Sequence, residues 1–146
     1  MIKFNIRVYA TLAAFALLVG TQAFAADVTV KVTGFRNEKG SALVYLWNGV
    51  PGFPTDTSKA MTEKNVKIEG TSVTVVFKDV KPGDYCASVT HDENGNGKMD
   101  TGFMGKPKEG YGASNNPKSK LRPPHFDESK FTVGDSGKTI EIEMKY

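Results

Sequence analysis

The sequence predicts an all-β domain, an antiparallel β-sandwich of about seven strands with one long loop, of immunoglobulin or transthyretin (prealbumin) type. A small barrel is the alternative. Apolar residues alternate with polar ones at period two along most of the chain. Turn sequences rich in glycine, proline, asparagine and aspartate separate these runs. The only helical pattern is a short one near 58–64.

The predicted strands differ in how many faces they bury. Val28, Val30 and Val32 alternate with polar residues, as in a strand with one buried face. Residues 42–47 are apolar at both odd and even positions, which predicts a central strand covered on both faces. Turns are predicted at 37–40, 81–84 and 134–137. The full set of predicted strands is 28–33, 42–47, 66–69, 73–77, 85–89, 131–133 and 139–146.

Residues 1–25 have the pattern of a cleavable signal peptide. Lys3 and Arg7 precede an apolar run over 8–19, and Ala23-Phe24-Ala25 is a small-x-small cleavage pattern. The run is about a dozen residues, short of the roughly 20 that a membrane-spanning helix needs. The sequence therefore predicts a periplasmic or secreted protein, with one soluble domain at 26–146.

The predicted exported part has 17 basic and 16 acidic residues, a net charge of +1. This balance gives no sign of the clustered basic face that nucleic-acid binding requires. Its 121 residues suffice for one domain with its own core. Cys86 is the only cysteine, so it has no partner for an internal disulfide.

The motif with the most specific chemistry is an acidic loop at 91–100. Alternate side chains offer hard oxygen ligands, and Gly97 permits a sharp reversal. This pattern matches the first positions of an EF-hand-type calcium loop. The predicted calcium ligands are Asp92, Asn94, Asn96, Lys98 through its carbonyl, and Asp100.

The match to the calcium loop then ends, because Phe103 occupies the position of the bidentate glutamate. Four residues are candidates for the missing carboxylate, namely Glu93, Glu109, Asp127 and Glu128. With so few acidic ligands, we expect a weak site with a dissociation constant on the order of 10⁻⁴ to 10⁻³ M. The alternative is a plain polar turn, since Asp, Asn and Gly are common turn residues.

Two other sites are weaker candidates. His91, His125 and Cys86 would serve a transition-metal protein or enzyme, but no metal-ligand spacing joins them. For these residues we favour a histidine at the sheet rim and a packed cysteine. Trp47, Phe53 and Tyr111 would form the stacking surface of a carbohydrate-binding module. Aromatic residues in a small β domain are more often part of the core.

The segment 102–126 is rich in glycine, proline and lysine and shows little periodicity. Long loops inside compact domains are usually functional or disordered. We expect calcium to order this loop, which would then contact an unknown protein or glycan partner. The residues predicted to form its contact surface are Tyr111, Asn115, Asn116 and Phe126.

Several motifs in a fixed order resemble a known family. They are strand 28–32, Gly83-Asp84-Tyr85, the loop 91–100, and the segments 111–116 and 123–126. Together they resemble domain of unknown function 2141, a family of exported bacterial proteins of about this size. The resemblance covers the whole predicted exported part and implies a signal peptide and an immunoglobulin-like or prealbumin-like sandwich. It implies no activity and no catalytic residues, so a non-catalytic module is expected.

Overall fold

The computed structural model describes residues 24–118 and 122–146. The predicted signal peptide lies almost wholly outside these residues and stays a prediction. Within the described part, no helix has the length and apolarity needed to cross a membrane. The strands are β1 (Ala26–Thr33), β2 (Ser41–Trp47), β3 (Thr62–Lys67), β4 (Ser72–Val80), β5 (Gly83–Asp92), β6 (Tyr111–Ala113), β7 (Phe131–Val133) and β8 (Lys138–Glu143). One short helix, α1, spans Phe126–Ser129.

The strands form two sheets, so the all-β prediction is confirmed. One sheet has the order β4-β1-β8, and the other has the order β3-β2-β5-β6, with β7 paired to the first residues of β5. The expectation of a wholly antiparallel sandwich is wrong at one pair, because β1 and β8 run parallel. These strands come from the two ends of the domain, so no tight turn constrains their relative direction.

Both sheets contribute to one hydrophobic core. Val28, Val30 and Val32 of β1 are fully buried, in agreement with their alternation in the sequence. They pack in a cluster with inward residues of the opposite sheet, including Val44 and Val89. Because side chains of a strand alternate between faces, the odd-numbered residues of β5 face this core.

A second cluster covers the other face of the five-stranded sheet. Leu43, Tyr45 and Trp47 of β2 pack there with Cys86, so β2 is buried on both faces as predicted. The Trp47 indole N–H donates to Ser88 Oγ at 2.9 Å, and its ring meets Phe53 edge-on at 5.5 Å. Trp47 is only 1% exposed, which agrees with the interpretation that it belongs to the core and leaves no face of its ring for the alternative of sugar stacking.

Two local predictions also differ from the structure. The expected helix near 58–64 is only a three-residue 3-10 turn, Thr57–Lys59, because β3 begins at Thr62 and pairs with β2. The supposedly structureless loop 102–126 contains β6, which extends the sheet beside β5. Gly112 and Ala113 have no strong period-two signal, and their strand depends on pairing with Val89 and Ser88.

Candidate functional site

The acidic loop begins where β5 ends, beside the turn that precedes β2. Ser41 of β2 pairs with Asp92, which places Gly40 directly against the start of the loop. A Cβ on Gly40 would overlap the Asp92 carbonyl oxygen, so the two backbones touch. From the other side, the His91 N–H donates to the Gly110 carbonyl at 2.8 Å. The loop therefore projects from a fixed base formed by three chain segments.

The side chains at alternate positions organise the loop backbone. Asp92 Oδ1 accepts the Asn96 N–H at 3.1 Å, and its Oδ2 accepts the Gly97 N–H at 2.7 Å. Asn94 Oδ1 accepts the same Asn96 N–H, and Asn96 Oδ1 accepts the Lys98 N–H, both at 3.1 Å. These bonds wrap the chain around the side-chain oxygens, which is the geometry that the alternate Asp/Asn spacing predicts.

Asp100 closes the loop from the opposite side. Its carboxylate accepts the Asn94 amide N–H at 2.5 Å and the Asn96 amide N–H at 2.9 Å. The hydrogen bond from Asn96 and then that from Asn94, with Lys98 and Lys108 nearby, hold the pKa of Asp100 below its ordinary value. Asp100 is therefore ionised at neutral pH, and the side chains of Asp92, Asn94, Asn96 and Asp100 belong to one network.

Glu109, one of the four candidate carboxylates, accepts hydrogen bonds from the backbone of the acidic loop. Its Oε1 accepts the Glu93 N–H at 2.9 Å and its Oε2 accepts the Asp100 N–H at 3.0 Å. The side chain is 5% exposed and joins the first and last parts of the loop. Glu109 reaches this position because the chain returns after residue 100, with the Lys108 N–H bonded to the Asp100 carbonyl at 2.9 Å.

The other three candidate carboxylates have different positions. Glu93 forms an ion pair with Arg36 at 2.5 Å, and Glu128 forms one with Arg122 at 2.7 Å. Asp127 and Glu128 belong to α1, which lies beside Cys86, six residues before Asp92 on β5. This separation is about 20 Å along a strand. Of the four, only Glu109 bonds to both ends of the acidic loop.

Asp92 and Glu109 are buried carboxylates without a cationic partner. Both are at least 95% buried, and neither forms an ion pair with any residue that the structure describes. Buried charges are normally paired or bound to a metal ion. In the described ranges, no three His, Cys, Asp or Glu residues are grouped as a metal site. Any cation here would therefore also need oxygens from the Asn side chains and the Lys98 carbonyl, donors that suit calcium.

His91 lies on the core side of β5 in a complete hydrogen-bond network. Its Nε2 lies 2.9 Å from the Lys39 carbonyl, and its Nδ1 lies 2.8 Å from the Tyr146 hydroxyl. The Tyr146 hydroxyl also accepts the Arg36 N–H at 3.1 Å, and the Arg36 guanidinium lies over the Tyr146 ring. Both ring nitrogens therefore have protein partners, which agrees with the interpretation of a satisfied histidine. The side chain lies on the face of the sheet that is turned towards the core.

The structure does not bring the three predicted transition-metal ligands together. Cys86 and His91 lie on opposite faces of β5, since the first packs in the outer cluster and the second faces the core side. His125 caps α1, and its N–H donates to Glu128 Oε2 at 3.0 Å. Cys86 is fully buried and its thiol contacts the Phe126 carbonyl, so the interpretation of a packed cysteine is confirmed.

We expect Cys86 to be inert in the native protein. Burial, with the negative charge of Asp127 nearby, raises the pKa of the thiol to about 12. Iodoacetamide at pH 8 should therefore modify Cys86 only after unfolding in urea, measured by mass spectrometry. The folded pKa lies above the unfolded value near 9, so this thiol should favour folding below pH 9 and lose that effect between pH 9 and about 12. Rapid native labelling would contradict this expectation.

The predicted contact residues of the long loop are bonded within the chain. The Asn115 amide donates to the Lys130 carbonyl at 2.8 Å, and Asn116 Oδ1 accepts the Glu143 N–H at 2.8 Å. Phe126 packs edge-on against Phe53, and Tyr111 is half-buried in β6. These contacts give the four side chains a structural role in holding the loop against the sandwich. The residues that sequence reasoning did not identify are Gly40 and the exposed pair Phe103 and Met104.

Comparison with known proteins identifies a family for this fold and loop. A family model described as an uncharacterized protein conserved in bacteria, DUF2141, matches residues 30–141. No curated protein and no solved structure gives a significant match. The match covers most of the chain, including the acidic loop and both sheets. The chain therefore belongs to the DUF2141 family.

Proposed function

We propose that this member of the DUF2141 family is an exported, non-catalytic β-sandwich module, immunoglobulin-like or prealbumin-like, that binds calcium through its acidic loop. The bound ion orders the β5–β6 connection and the segment after it for contact with a partner. Export is supported by the signal-peptide pattern at 1–25. The non-catalytic role is supported by the structural contacts of the only cysteine and of His91.

The observation that supports calcium most strongly is that Asp92 and Glu109 are buried carboxylates bonded to the same loop backbone. Neither has a cationic side-chain partner among the residues that the structure describes. Their oxygens each accept one backbone N–H, and a carboxylate oxygen has a further lone pair for a ligand. Asp100 adds a third carboxylate, whose oxygens accept amide N–H groups from Asn94 and Asn96. A divalent cation would replace these weak donors and offset the charge of all three.

The test is a thermal melt of the purified protein in chelator and then in calcium up to 10 mM. With the expected affinity, 10 mM calcium should stabilise the fold by about 1.4 to 2.7 kcal/mol, a rise in Tm of roughly 4 to 10 °C. Asp92→Asn, which keeps the shape and removes the charge, should abolish most of this rise. Magnesium at the same concentration should have little effect, because it prefers a smaller octahedral site.

The matched control is Asp135→Asn, the same change in an exposed turn far from the acidic loop in sequence. This variant should retain the full calcium response. If calcium leaves the Tm of the unmodified protein unchanged, the loop is a polar turn without a calcium site. An equal loss of response in both variants would show that the ion does not bind through Asp92.

A further inference from the structure

Two large apolar side chains project into solvent immediately after the acidic loop. Phe103 is 88% exposed and Met104 is 82% exposed, more than any other large hydrophobic residue in the described part of the chain. They are adjacent in sequence and form the end of the segment 101–107, which we call the apolar tip. Exposed apolar groups that are adjacent rather than scattered indicate an interaction surface.

The apolar tip is held in a defined conformation. The Gly102 N–H donates to the Lys106 carbonyl at 2.7 Å, and Thr101 forms a β-bridge with Pro107. Met104 has φ 57° and ψ 28°, a left-handed conformation that is uncommon for a residue with a Cβ. Unfavourable backbone conformations persist where the surrounding structure enforces them, and they occur often at binding sites. The exposed side chains are therefore presented by a closed turn and not by an open strand.

Three exposed lysines lie within the apolar tip or close to it in the chain. Lys98, Lys106 and Lys108 are all exposed, and the Lys108 side chain lies against Gly102. The same end of the molecule contains three carboxylates, two in the acidic loop and that of Glu109 beside it, which cancel this charge when no cation is bound. One calcium ion would give the set a net charge of +2. The charged residues in this set are Lys98, Lys106, Lys108, Asp92, Asp100 and Glu109.

We propose that the apolar tip inserts Phe103 and Met104 into the interface of an anionic phospholipid bilayer when calcium occupies the acidic loop. Aromatic and apolar side chains enter the headgroup boundary, while lysines beside them are attracted to anionic lipid. This dependence of membrane insertion on calcium, which we call the coupling, rests on the calcium site proposed above. The bound ion removes the repulsion between the carboxylates and the anionic lipid.

A second copy of the chain is a less suitable partner for the apolar tip than an anionic lipid surface. A groove of about 330 Å³ lies between Met61, Phe77 and Tyr85. Its lining has three lysines and one acid, Asp79, so it has the same sign of charge as the lysines around the apolar tip. Charge complementarity therefore favours an anionic surface over this groove.

The test is co-sedimentation of the purified protein with vesicles of phosphatidylcholine alone, or containing 30% phosphatidylglycerol, in 10 mM calcium or in chelator. The protein should bind the anionic vesicles in calcium. Phe103→Ser with Met104→Ser should weaken that binding at least about tenfold, since each side chain loses its transfer from water. The control, Val50→Ser with Met61→Ser, removes two exposed apolar side chains from loops outside the apolar tip and should bind normally.

Melting curves of the same samples separate this proposal from the calcium site. A calcium-dependent rise in Tm without binding to either vesicle would overturn membrane insertion and leave calcium binding intact, and a protein partner for the apolar tip would then be indicated. Binding that is equal in the tip variant, or equal on uncharged vesicles, would also overturn insertion into anionic lipid. Vesicle binding without any calcium effect on Tm or on binding would overturn the coupling.

Discussion

Gly40→Ala is expected to lower the free energy of unfolding by about 4 kcal/mol, or to prevent folding. The added Cβ would overlap the Asp92 carbonyl oxygen and lie 2.8 Å from the Asp92 carbonyl carbon and 2.9 Å from that of Glu93. All three are backbone atoms at the base of the acidic loop, so the overlap cannot be relieved by rotating a side chain. Overpacking of this kind costs about 1 to 3 kcal/mol or more, and φ of +65° adds about 1 kcal/mol for alanine.

Gly70→Ala is the matched control for the backbone conformation. Gly70 has φ of +75°, but a Cβ there would meet no atom within 4 Å. Its cost should therefore be only the conformational term of about 1 kcal/mol. Urea denaturation of both variants gives the comparison, with the slope against denaturant checked for constancy. Similar small losses in the two variants would mean that the turn before β2 shifts away from Asp92 at little cost.

Glu109→Ala is expected to lower the free energy of unfolding by about 3 kcal/mol and to abolish the calcium response. The substitution leaves the Glu93 and Asp100 N–H groups without their acceptor, and each hydrogen bond to a charged group contributes about 1.5 to 3 kcal/mol. It also removes the only carboxylate of the described residues that bonds to both ends of the acidic loop. Urea denaturation in chelator measures the first effect, and a calcium melt measures the second.

Two further variants are compared with Glu109→Ala, one outside the loop and one that removes only the charge. Glu69→Ala removes an exposed glutamate outside the loop and should change stability by less than about 0.5 kcal/mol. Glu109→Gln keeps one acceptor oxygen, so in chelator its stability should lie between those of the unmodified protein and Glu109→Ala. Its calcium response should still be lost. A calcium response that survives in Glu109→Gln would exclude the carboxylate charge as part of the site.

In the acidic loop, sequence spacing predicts the local hydrogen bonds but not the position of Glu109. Asp92, Asn94 and Asn96 bond to backbone N–H groups a few residues ahead of each, and such local bonds follow from spacing alone. Spacing leaves Glu109 as one of four equal candidates, because its position depends on where the chain returns after the apolar tip. The exclusion of Asp127 and Glu128 likewise required the position of α1 beside Cys86.

The sequence by itself determined the all-β class, the residues of β1 that face the core, the burial of β2 on both faces and the wrapped conformation of the acidic loop. Each of these follows from side-chain alternation or from contacts between residues close in sequence. Only the tertiary structure decided the parallel pairing of β1 with β8, the strand β6 and the return of Glu109 to the acidic loop. These features depend on which distant segments meet, and the hydrogen bonds and burial that select such partners arise only when the sheets assemble.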